Sequence, residues 1–378
     1  MINQLSITHL KCIDRLDLRL AGITMLAGLN GMGKSTCIQS LLLLHQSVLE
    51  QTEPFSQLVR NGRWVSLGTP KDLLWEAAED DRISIGLAFQ TPGLEPGRIA
   101  WTFDLDSDLN EFVGAMEPLG DPPDGIGLFT DKLHYLRADR MGPRTSFPVS
   151  NSEVRIHRQL GRDGEYTAHY LSEFGDETVR NQALWHPDAP SHQLRHQLEA
   201  WLGEISPGTR LYTEAHHSLD LVSLEFAFST GRGESNRYRA TNVGFGISYI
   251  LPIVTAALAA EPGSLLLVEN PEAHIHPHGQ LRIGKLLALA SLGGVQIVVE
   301  THSDHILNGL RLAVHSQALR PDQVAMHYFL RVTEADSIRT KVVTPGMDAD
   351  GRIDQWPEGF FDENEKALRE LLLPPTKR

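Results

Sequence analysis

The sequence predicts an α/β fold, and two regions of the chain carry that prediction. Near the start, a short apolar strand at 23–27 runs into a glycine-rich loop and then into a helix at 36–50 with leucines at helical spacing. In the second half, apolar strands at 264–268 and 296–300 alternate with helices. Such alternation is typical of a parallel sheet with helical crossovers. We therefore expect a mixed sheet flanked by helices.

The other elements follow from the spacing of apolar residues, which differs between strands and helices. Up to residue 136, it predicts strands at 4–9, 15–20, 82–89, 101–105 and 133–136, with the third and fourth able to pair, and a surface loop rich in Gly, Pro and Asp at 107–131. Farther along, it predicts a helical stretch at 170–204, a strand at 219–228, helices at 241–260, 279–291 and 303–316, and strands at 326–332 and 338–343.

Composition and charge exclude several classes of protein. The 378 residues are 41% hydrophobic and 22% charged, as in soluble globular chains. The net charge of −14 argues against a basic nucleic-acid coat protein but allows a local basic groove. Cys12 and Cys37 have no metal-ligand spacing, which fits a reducing cytoplasm. We expect a cytoplasmic protein with no signal peptide and no membrane span, since the apolar stretch at 250–260 is too short.

The glycine-rich loop carries the most specific motif in the chain. Residues 28–35 match the G-x-x-x-x-G-K-[ST] pattern in full, between a strand and a helix. Its glycines let backbone N–H groups wrap phosphate oxygens, Lys34 supplies charge for the β- and γ-phosphates, and Ser35 offers a hydroxyl to Mg²⁺. The strand and helix around it argue against an accidental turn. The predicted ATP-binding residues of the loop are Asn30, Gly31, Gly33, Lys34, Ser35 and Thr36.

Two later strands end in polar residues suited to phosphate chemistry. The first ends at Glu269, whose carboxylate can hold Mg²⁺ opposite Ser35, although surface acids capping a buried strand would look the same. The second leads to His302, which can sense or polarise a γ-phosphate or can be an ordinary loop histidine. The upstream phosphate loop favours the functional interpretation of both.

A second group of glycines opens the helix at 241–260. Asn242, Gly244 and Gly246 stand at its start, where helix N–H groups can bind an anion. The alternative is a plain helix start with a closely packed glycine.

The order of these motifs resembles the ABC-type ATPase heads of the SMC and RecF class. Residues 268–277 and 300–305, with 135–144 and 356–362, further resemble stand-alone prokaryotic AAA-type ATPases related to the OLD family. The resemblance implies a two-lobed head over residues 1–345, with a partly helical insertion near 105–205, and a C-terminal tail at 346–378 packed on it. It also implies an ATP-dependent homodimer or higher oligomer, in which Asn242, Gly244 and Gly246 reach the γ-phosphate held by the other copy.

One departure from the family pattern bears on catalysis. Where most such ATPases have Asp-Glu at the end of the acidic strand, this chain has Glu269-Asn270. An amide has no useful basicity, so Asn270 cannot act as a general base. Either Glu272 reaches the attacking water, or hydrolysis is slow and the protein works as an ATP-gated clamp. Lys34, Asn270, Glu272 and His302 are thus the candidate catalytic positions.

The resemblance also suggests a biological role. Heads of this build often act in bacterial anti-phage defence beside an effector protein such as a nuclease, and that is our leading expectation. The alternatives are a RecF-like ATPase that acts on DNA directly and a nucleotide-bound scaffold with negligible turnover.

Several residues are open to more than one interpretation. Arg140 and Arg144 could contact nucleotide or a partner, or could form surface salt bridges. Gln57 or Gln90 could be the phosphate-sensing glutamine of ABC heads. The His274, His276 and His278 group resembles a metal cluster, but the family places this stretch at the dimer face, and we expect Asp348 and Asp350 to lie in a solvated turn.

Overall fold

The structure is a computed structural model that describes residues 1–90, 95–114, 123–230, 233–334 and 337–372. Its strands are β1 Ile2–Leu10, β2 Ile13–Arg19, β3 Ile23–Gly28, β4 Arg82–Phe89, β5 Gly97–Asp106, β6 Glu111–Gly114, β7 Leu133–Leu136, β8 Phe147–Pro148, β9 Thr209–His216, β10 Leu221–Thr230, β11 Gly233–Glu234, β12 Tyr238–Arg239, β13 Leu265–Glu269, β14 Gln296–Glu300, β15 Val324–Glu334 and β16 Ser337–Val343. Its helices are α1 Lys34–Leu49, α2 Pro70–Leu73, α3 Thr167–Phe174, α4 Leu194–Gly203, α5 Phe245–Ala259, α6 Pro277–Leu292, α7 Asp304–His315 and α8 Glu363–Leu372.

The central sheet has the strand order β16-β15-β3-β14-β13-β7. All neighbours from β15 to β7 pair in parallel, and β16 is antiparallel to β15, so the predicted mixed sheet with helical crossovers is confirmed. The carboxyl ends of its parallel strands lie at one edge. Gly28, Glu269 and Glu300, which end β3, β13 and β14, therefore lie at the same edge.

A second, antiparallel sheet packs on the other side of α1. Its order is β2-β1-β4-β5-β6, and the predicted pairing of β4 with β5 is confirmed, with Ile85 opposite Trp101. Leucines of α1 share a buried core with this sheet, which fixes the helix behind the glycine-rich loop.

The region at 107–131 is not the surface loop that its composition predicts. Residues 111–114 form β6 on the edge of the antiparallel sheet, and Ile126, Leu128 and Phe129 are buried in the core beside α1. Residues 115–122 lie outside the described part of the chain. The many Gly, Pro and Asp residues conceal a few apolar side chains that are enough to anchor the segment.

The helical stretch expected at 170–204 is also corrected. Only α3 and α4 are helical, and an irregular segment with a short 3₁₀ turn at Gln182–Leu184 separates them. Pro187 and Pro190 lie in this segment, and proline cannot donate the backbone hydrogen bond that a helix needs. The strands β8 and β9 pair with β10, and α3 and α4 pack with these strands to form a second lobe. This lobe shares a buried core with α5 and α6.

The end of the described chain returns to the central sheet. Phe360 is buried and its ring contacts those of Tyr328 on β15, Trp356 and Phe361. Asp348 and Asp350 form the expected turn, in which the Asp348 carboxylate accepts from the Asp350 N–H. The division at residue 345 stays a prediction. Among the described residues, no helix is both long and apolar enough to span a bilayer.

Gly28→Ala should destabilise the protein by about 2–4 kcal/mol. Gly28 has φ 138°, and a Cβ there would lie 2.3 Å from the carbonyl oxygen of Phe329. Urea unfolding would measure the loss. Gly203→Ala is the control, because a Cβ on Gly203 meets nothing within 4 Å. Equal stabilities of the two variants would contradict the close strand approach at Gly28.

Candidate nucleotide-binding site

The glycine-rich loop connects β3 to the first turn of α1. Gly31 and Gly33 have φ of 73° and 101°, which side-chain-bearing residues adopt only at a cost. Left-handed residues in such loops turn consecutive N–H groups into one concavity that binds anions. The free N–H groups of α1 begin at the same point and add the positive end of the helix dipole.

Lys34 lies buried within this loop. Its Nζ donates to the carbonyls of Gly28 and Leu29, at 2.9 and 2.8 Å, and lies 3.7 Å from Oε1 of Glu300. Burial lowers the pKa of Lys34, and the nearby Glu300 carboxylate opposes that shift. The ammonium is thus held where the loop would receive phosphate oxygens.

Glu269 is fixed by neighbours on both sides. Its Oε1 accepts from the Tyr135 hydroxyl and its Oε2 from the Ala138 N–H, both at 3.1 Å. Burial raises the pKa of Glu269, while these hydrogen bonds favour the carboxylate. The side chain predicted to hold Mg²⁺ therefore has a defined orientation.

Glu300 is a functional candidate that the sequence interpretation missed. It is 6% exposed, stands beside Glu269 in the register of β13 and β14, and has an Oε2 without a hydrogen-bond partner among the described residues. Burial raises the pKa of Glu300, and the Ser35 hydroxyl and the Lys34 ammonium oppose the shift. Its signal in the sequence was an acid ending an apolar strand, as Glu269 does.

Asn270 takes a left-handed conformation, with φ 45°. Its N–H donates to the Glu300 carbonyl at 2.8 Å, and its Oδ1 is buried without a partner in the described part of the chain. Asparagine tolerates this backbone region better than glutamate does. This favours Asn270 as a turn residue at the end of the acidic strand.

Glu272 and His302 are brought together. Oε1 of Glu272 accepts from the His302 N–H and Oε2 from the Thr301 hydroxyl, both at 2.7 Å. Partial burial and the Lys34 ammonium lower the pKa of His302. The His302 side chain also lines a pocket of about 310 Å³ with Leu29 and Phe361, so the C-terminal segment reaches this edge of the site.

The predicted glycine-helix residues lie elsewhere on the chain. Asn242 and Gly244 are exposed just before α5, and a Cβ on Gly244 would meet nothing within 4 Å. A Cβ on Gly246 would lie 2.7 Å from the His274 carbonyl, so Gly246 is a closely packed glycine. Phe245, Tyr249 and His274 form a ring cluster here. None of the three predicted residues lines the cleft at the loop.

The cleft in front of the loop has a volume of about 1080 Å³, which suits a nucleoside triphosphate. It adds residues that the sequence interpretation missed. The Arg331 guanidinium on β15 donates to the Gly31 carbonyl at 3.1 Å, and Lys11 donates to Oε1 of Gln39 at 3.0 Å. The lining residues include Lys11, Cys12, Asn30, Gly31, Gly33, Lys34, Ser35, Thr36, Gln39, Trp75, Glu300 and Arg331.

Several open interpretations are decided by position. Gln57 and Gln90 do not line the cleft, whereas Gln39 does, and the identity of a phosphate-sensing glutamine stays a prediction. Arg140 is buried and bonds backbone carbonyls, so it is neither a nucleotide contact nor a surface salt bridge. In the described part of the chain, no cluster of three His, Cys, Asp or Glu side chains could hold a metal ion.

The fold and this site define a P-loop nucleotide-binding protein. The family model described as "AAA domain, putative AbiEii toxin, Type IV TA system" matches residues 23–308. The chain therefore belongs to this family of AAA domains. A second model, "Protein of unknown function (DUF3696)", matches residues 319–371.

Solved structures of SMC heads have the same fold as this chain. The SMC head bound to the C-winged helix domain of ScpA is 11% identical, with a TM-score of 0.54, over 91% of this chain and 98% of that one. The Pyrococcus furiosus SMC head with an extended coiled coil, bound to the C-terminal domain of ScpA, is 12% identical, with a TM-score of 0.51. This match covers 98% of this chain and 99% of that one. A search of curated proteins found no match.

Stability should depend on pH through Glu300. A carboxyl whose folded-state pKa is raised stabilises the fold below its unfolded pKa and loses that contribution as pH rises through the folded pKa. Without nucleotide, wild type should therefore lose more stability than Glu300→Gln as the pH rises above the ordinary glutamate pKa of 4.5. Urea unfolding in a chelator would test this, with the exposed Glu214→Gln as control. Parallel pH curves for wild type and Glu300→Gln would contradict the burial argument.

Proposed function

We propose that this protein binds ATP with Mg²⁺ in the cleft at residues 28–36 and hydrolyses it slowly. The observation that carries the proposal is the convergence of Lys34, Ser35, Glu269 and Glu300 at one edge of the central sheet. Lys34 would neutralise phosphate charge, and the loop N–H groups would bind phosphate oxygens. Together these residues supply the charge and the donors that a triphosphate needs.

The residues present fit a divalent metal. The buried carboxylate of Glu300, which has one oxygen without a partner among the described residues, stands beside the half-buried carboxylate of Glu269, and the Ser35 hydroxyl lies next to Glu300. Hard cations prefer such oxygen ligands. Ser35, Glu269 and Glu300 would hold Mg²⁺, which when bound neutralises charge on the β- and γ-phosphates.

Glu272 is the proposed acceptor of the proton from the attacking water. Both of its oxygens accept a hydrogen bond near His302, which keeps the carboxylate at the phosphate edge but tied to the protein. Asn270 holds the turn and contributes no base. Both oxygens are already engaged by donors of the protein, so a water has to compete with these hydrogen bonds to reach Glu272, which supports slow hydrolysis.

A homodimer or higher oligomer through the ATP face extends the proposal. Leu29 on the loop and Phe245 beside Gly244 are 65% and 59% exposed, so each offers apolar surface that a second copy could cover. In a dimer, Asn242, Gly244 and Gly246 would complete the γ-phosphate site of the other copy. The open space around Gly244 supports such an approach.

The role we favour is an ATP-gated head that controls a protein effector in bacterial defence. The family description names a putative toxin of a toxin–antitoxin system, and the SMC heads of similar fold were solved with a bound protein, ScpA. The net charge of −14 favours a protein partner, such as a nuclease, over bare DNA. Turnover stimulated by DNA would instead favour direct action on DNA.

Lys34→Ala should abolish ATP binding, because the loop amides alone cannot balance the phosphate charge. Titration calorimetry with a non-hydrolysable ATP analogue measures this. Lys132→Ala, which removes an exposed lysine paired with Glu261, is the control. Unchanged affinity in a folded Lys34→Ala protein would rule out the site.

Glutamine substitutions of Glu272, Glu269 and Glu300 should affect ATP turnover in different ways. Glu272→Gln should lower turnover about 10²–10³-fold while keeping ATP affinity, since it removes proton acceptance but keeps shape. Glu269→Gln and Glu300→Gln should instead raise the Mg²⁺ concentration needed for half-maximal turnover. Steady-state phosphate release measures all three. Turnover at the wild-type rate in each variant would show that these acids do not carry the chemistry.

Gly244→Asp should prevent the ATP-dependent dimer, because its carboxylate would face the γ-phosphate held by the other copy. Light scattering after size exclusion, with and without the ATP analogue, measures the mass. Gly203→Asp adds the same charge at another glycine with open space and should dimerise like wild type. The same nucleotide-stabilised mass for Gly244→Asp and wild type would contradict the role in trans.

A further inference from the structure

Arg140 has an environment that its sequence position does not suggest. It is 2% exposed and follows β7 in the loop at 137–144. Its Nε donates to the Tyr249 carbonyl at 3.2 Å, and its Nη2 donates to the Asn270 carbonyl at 2.8 Å. Its Nη1 donates to the carbonyls of Arg137, at 2.9 Å, and Glu269, at 2.6 Å. Among the described residues, no carboxylate lies within ion-pair distance of it, so its hydrogen-bond partners are backbone oxygens, and its guanidinium lies 6.0 Å from the centre of the Tyr249 ring.

Burying a guanidinium without a paired carboxylate is costly, and packing alone would not require one. Burial lowers the pKa of Arg140 to about 10, which still leaves it charged near neutral pH. Only a planar group with several donors can join four carbonyls from separate segments. The segments that it joins are its own loop, α5 and the end of β13.

These contacts control the direction of Glu269. Oε2 of Glu269 accepts from the Ala138 N–H, and Ala138 lies in the loop whose Arg137 carbonyl Arg140 holds. Arg140 also holds the carbonyl of Glu269 itself. The carboxylate and its backbone donor are thus tied to one guanidinium.

The same guanidinium secures the turn after the acidic strand. Asn270 is held in its left-handed conformation from both sides, by Arg140 on its carbonyl and by the Glu300 carbonyl on its N–H. A left-handed backbone conformation is strained for a residue other than glycine and needs such support. The turn leads directly to Glu272, whose carboxylate accepts from the Thr301 hydroxyl just after β14.

We propose that Arg140 is a positioning residue that sets the acidic strand end for metal binding and couples it to α5. Its bond to Tyr249, five residues after Gly244, means that displacement of α5 pulls on the group that orients Glu269 and Asn270. This inference rests on the proposed function for its metal, but the arrangement of the acidic turn can be tested without metal or nucleotide.

Arg140→Lys keeps the charge with fewer and differently placed donors, and Arg140→Gln keeps some donors without the charge. Arg155→Met, which removes an exposed arginine paired with Glu173, is the control. Three readouts are needed: hydrogen exchange of peptides covering 266–272 in the protein without ligand, affinity for the ATP analogue in a chelator, and the Mg²⁺ dependence of turnover.

We expect both Arg140 variants to exchange faster at 266–272 and to need about 10–100-fold more Mg²⁺, with chelator affinity within about twofold of wild type. Wild-type exchange and Mg²⁺ dependence in folded Arg140→Lys and Arg140→Gln would overturn the proposal, as would loss of nucleotide affinity in the chelator, which would indicate direct contact. If wild type binds no ATP, the proposed function fails, while the exchange result still decides whether Arg140 positions the turn. If one variant does not fold, the other carries the test.

Discussion

The in-register pairing of β13 with β14 is the constraint on which the candidate site depends. It sets Glu269 opposite Glu300, and β14 pairs in turn with β3, which ends at Gly28. The pairing of the backbones therefore places two carboxylates and the phosphate loop at one edge of the sheet. A shift of one residue in this register would put the two acids on opposite faces of the sheet.

The two neighbouring acids are electrostatically unfavourable when no ligand is present. Burial raises the pKa of both Glu269 and Glu300, and the Glu269 charge raises that of Glu300 further. The Lys34 ammonium compensates the acidic charge only in part, since its Nζ is 3.7 Å from Glu300 and donates to carbonyls of its own loop. A divalent cation with a triphosphate would satisfy the acids and the ammonium together. The hydrogen bonds of Arg140 go to backbone oxygens, so Arg140 does not occupy the carboxylates that would take that role.

The parts of the protein that the sequence predicted are those encoded in local patterns. The loop at 28–35 and the apolar strands around Glu269 and His302 are contiguous signals, and the structure has these elements at the predicted positions. Glu300 was missed because its importance comes from strand pairing. Arg140 was misjudged because a loop arginine is usually exposed, and its burial depends on three segments distant in sequence. The stretch at 170–204 was assigned as helical because apolar spacing outweighed Pro187 and Pro190.

The central claim is that Lys34 and the paired acids form one site for a nucleotide and its metal. The most direct test is calorimetric titration of a non-hydrolysable ATP analogue with and without Mg²⁺, on wild type and on the double variant Glu269→Gln/Glu300→Gln. The account predicts one nucleotide per chain, affinity increased by Mg²⁺ in wild type, and loss of that increase in the double variant while Mg²⁺-free binding persists. An equal Mg²⁺ effect in both proteins, or no binding to wild type, would contradict it.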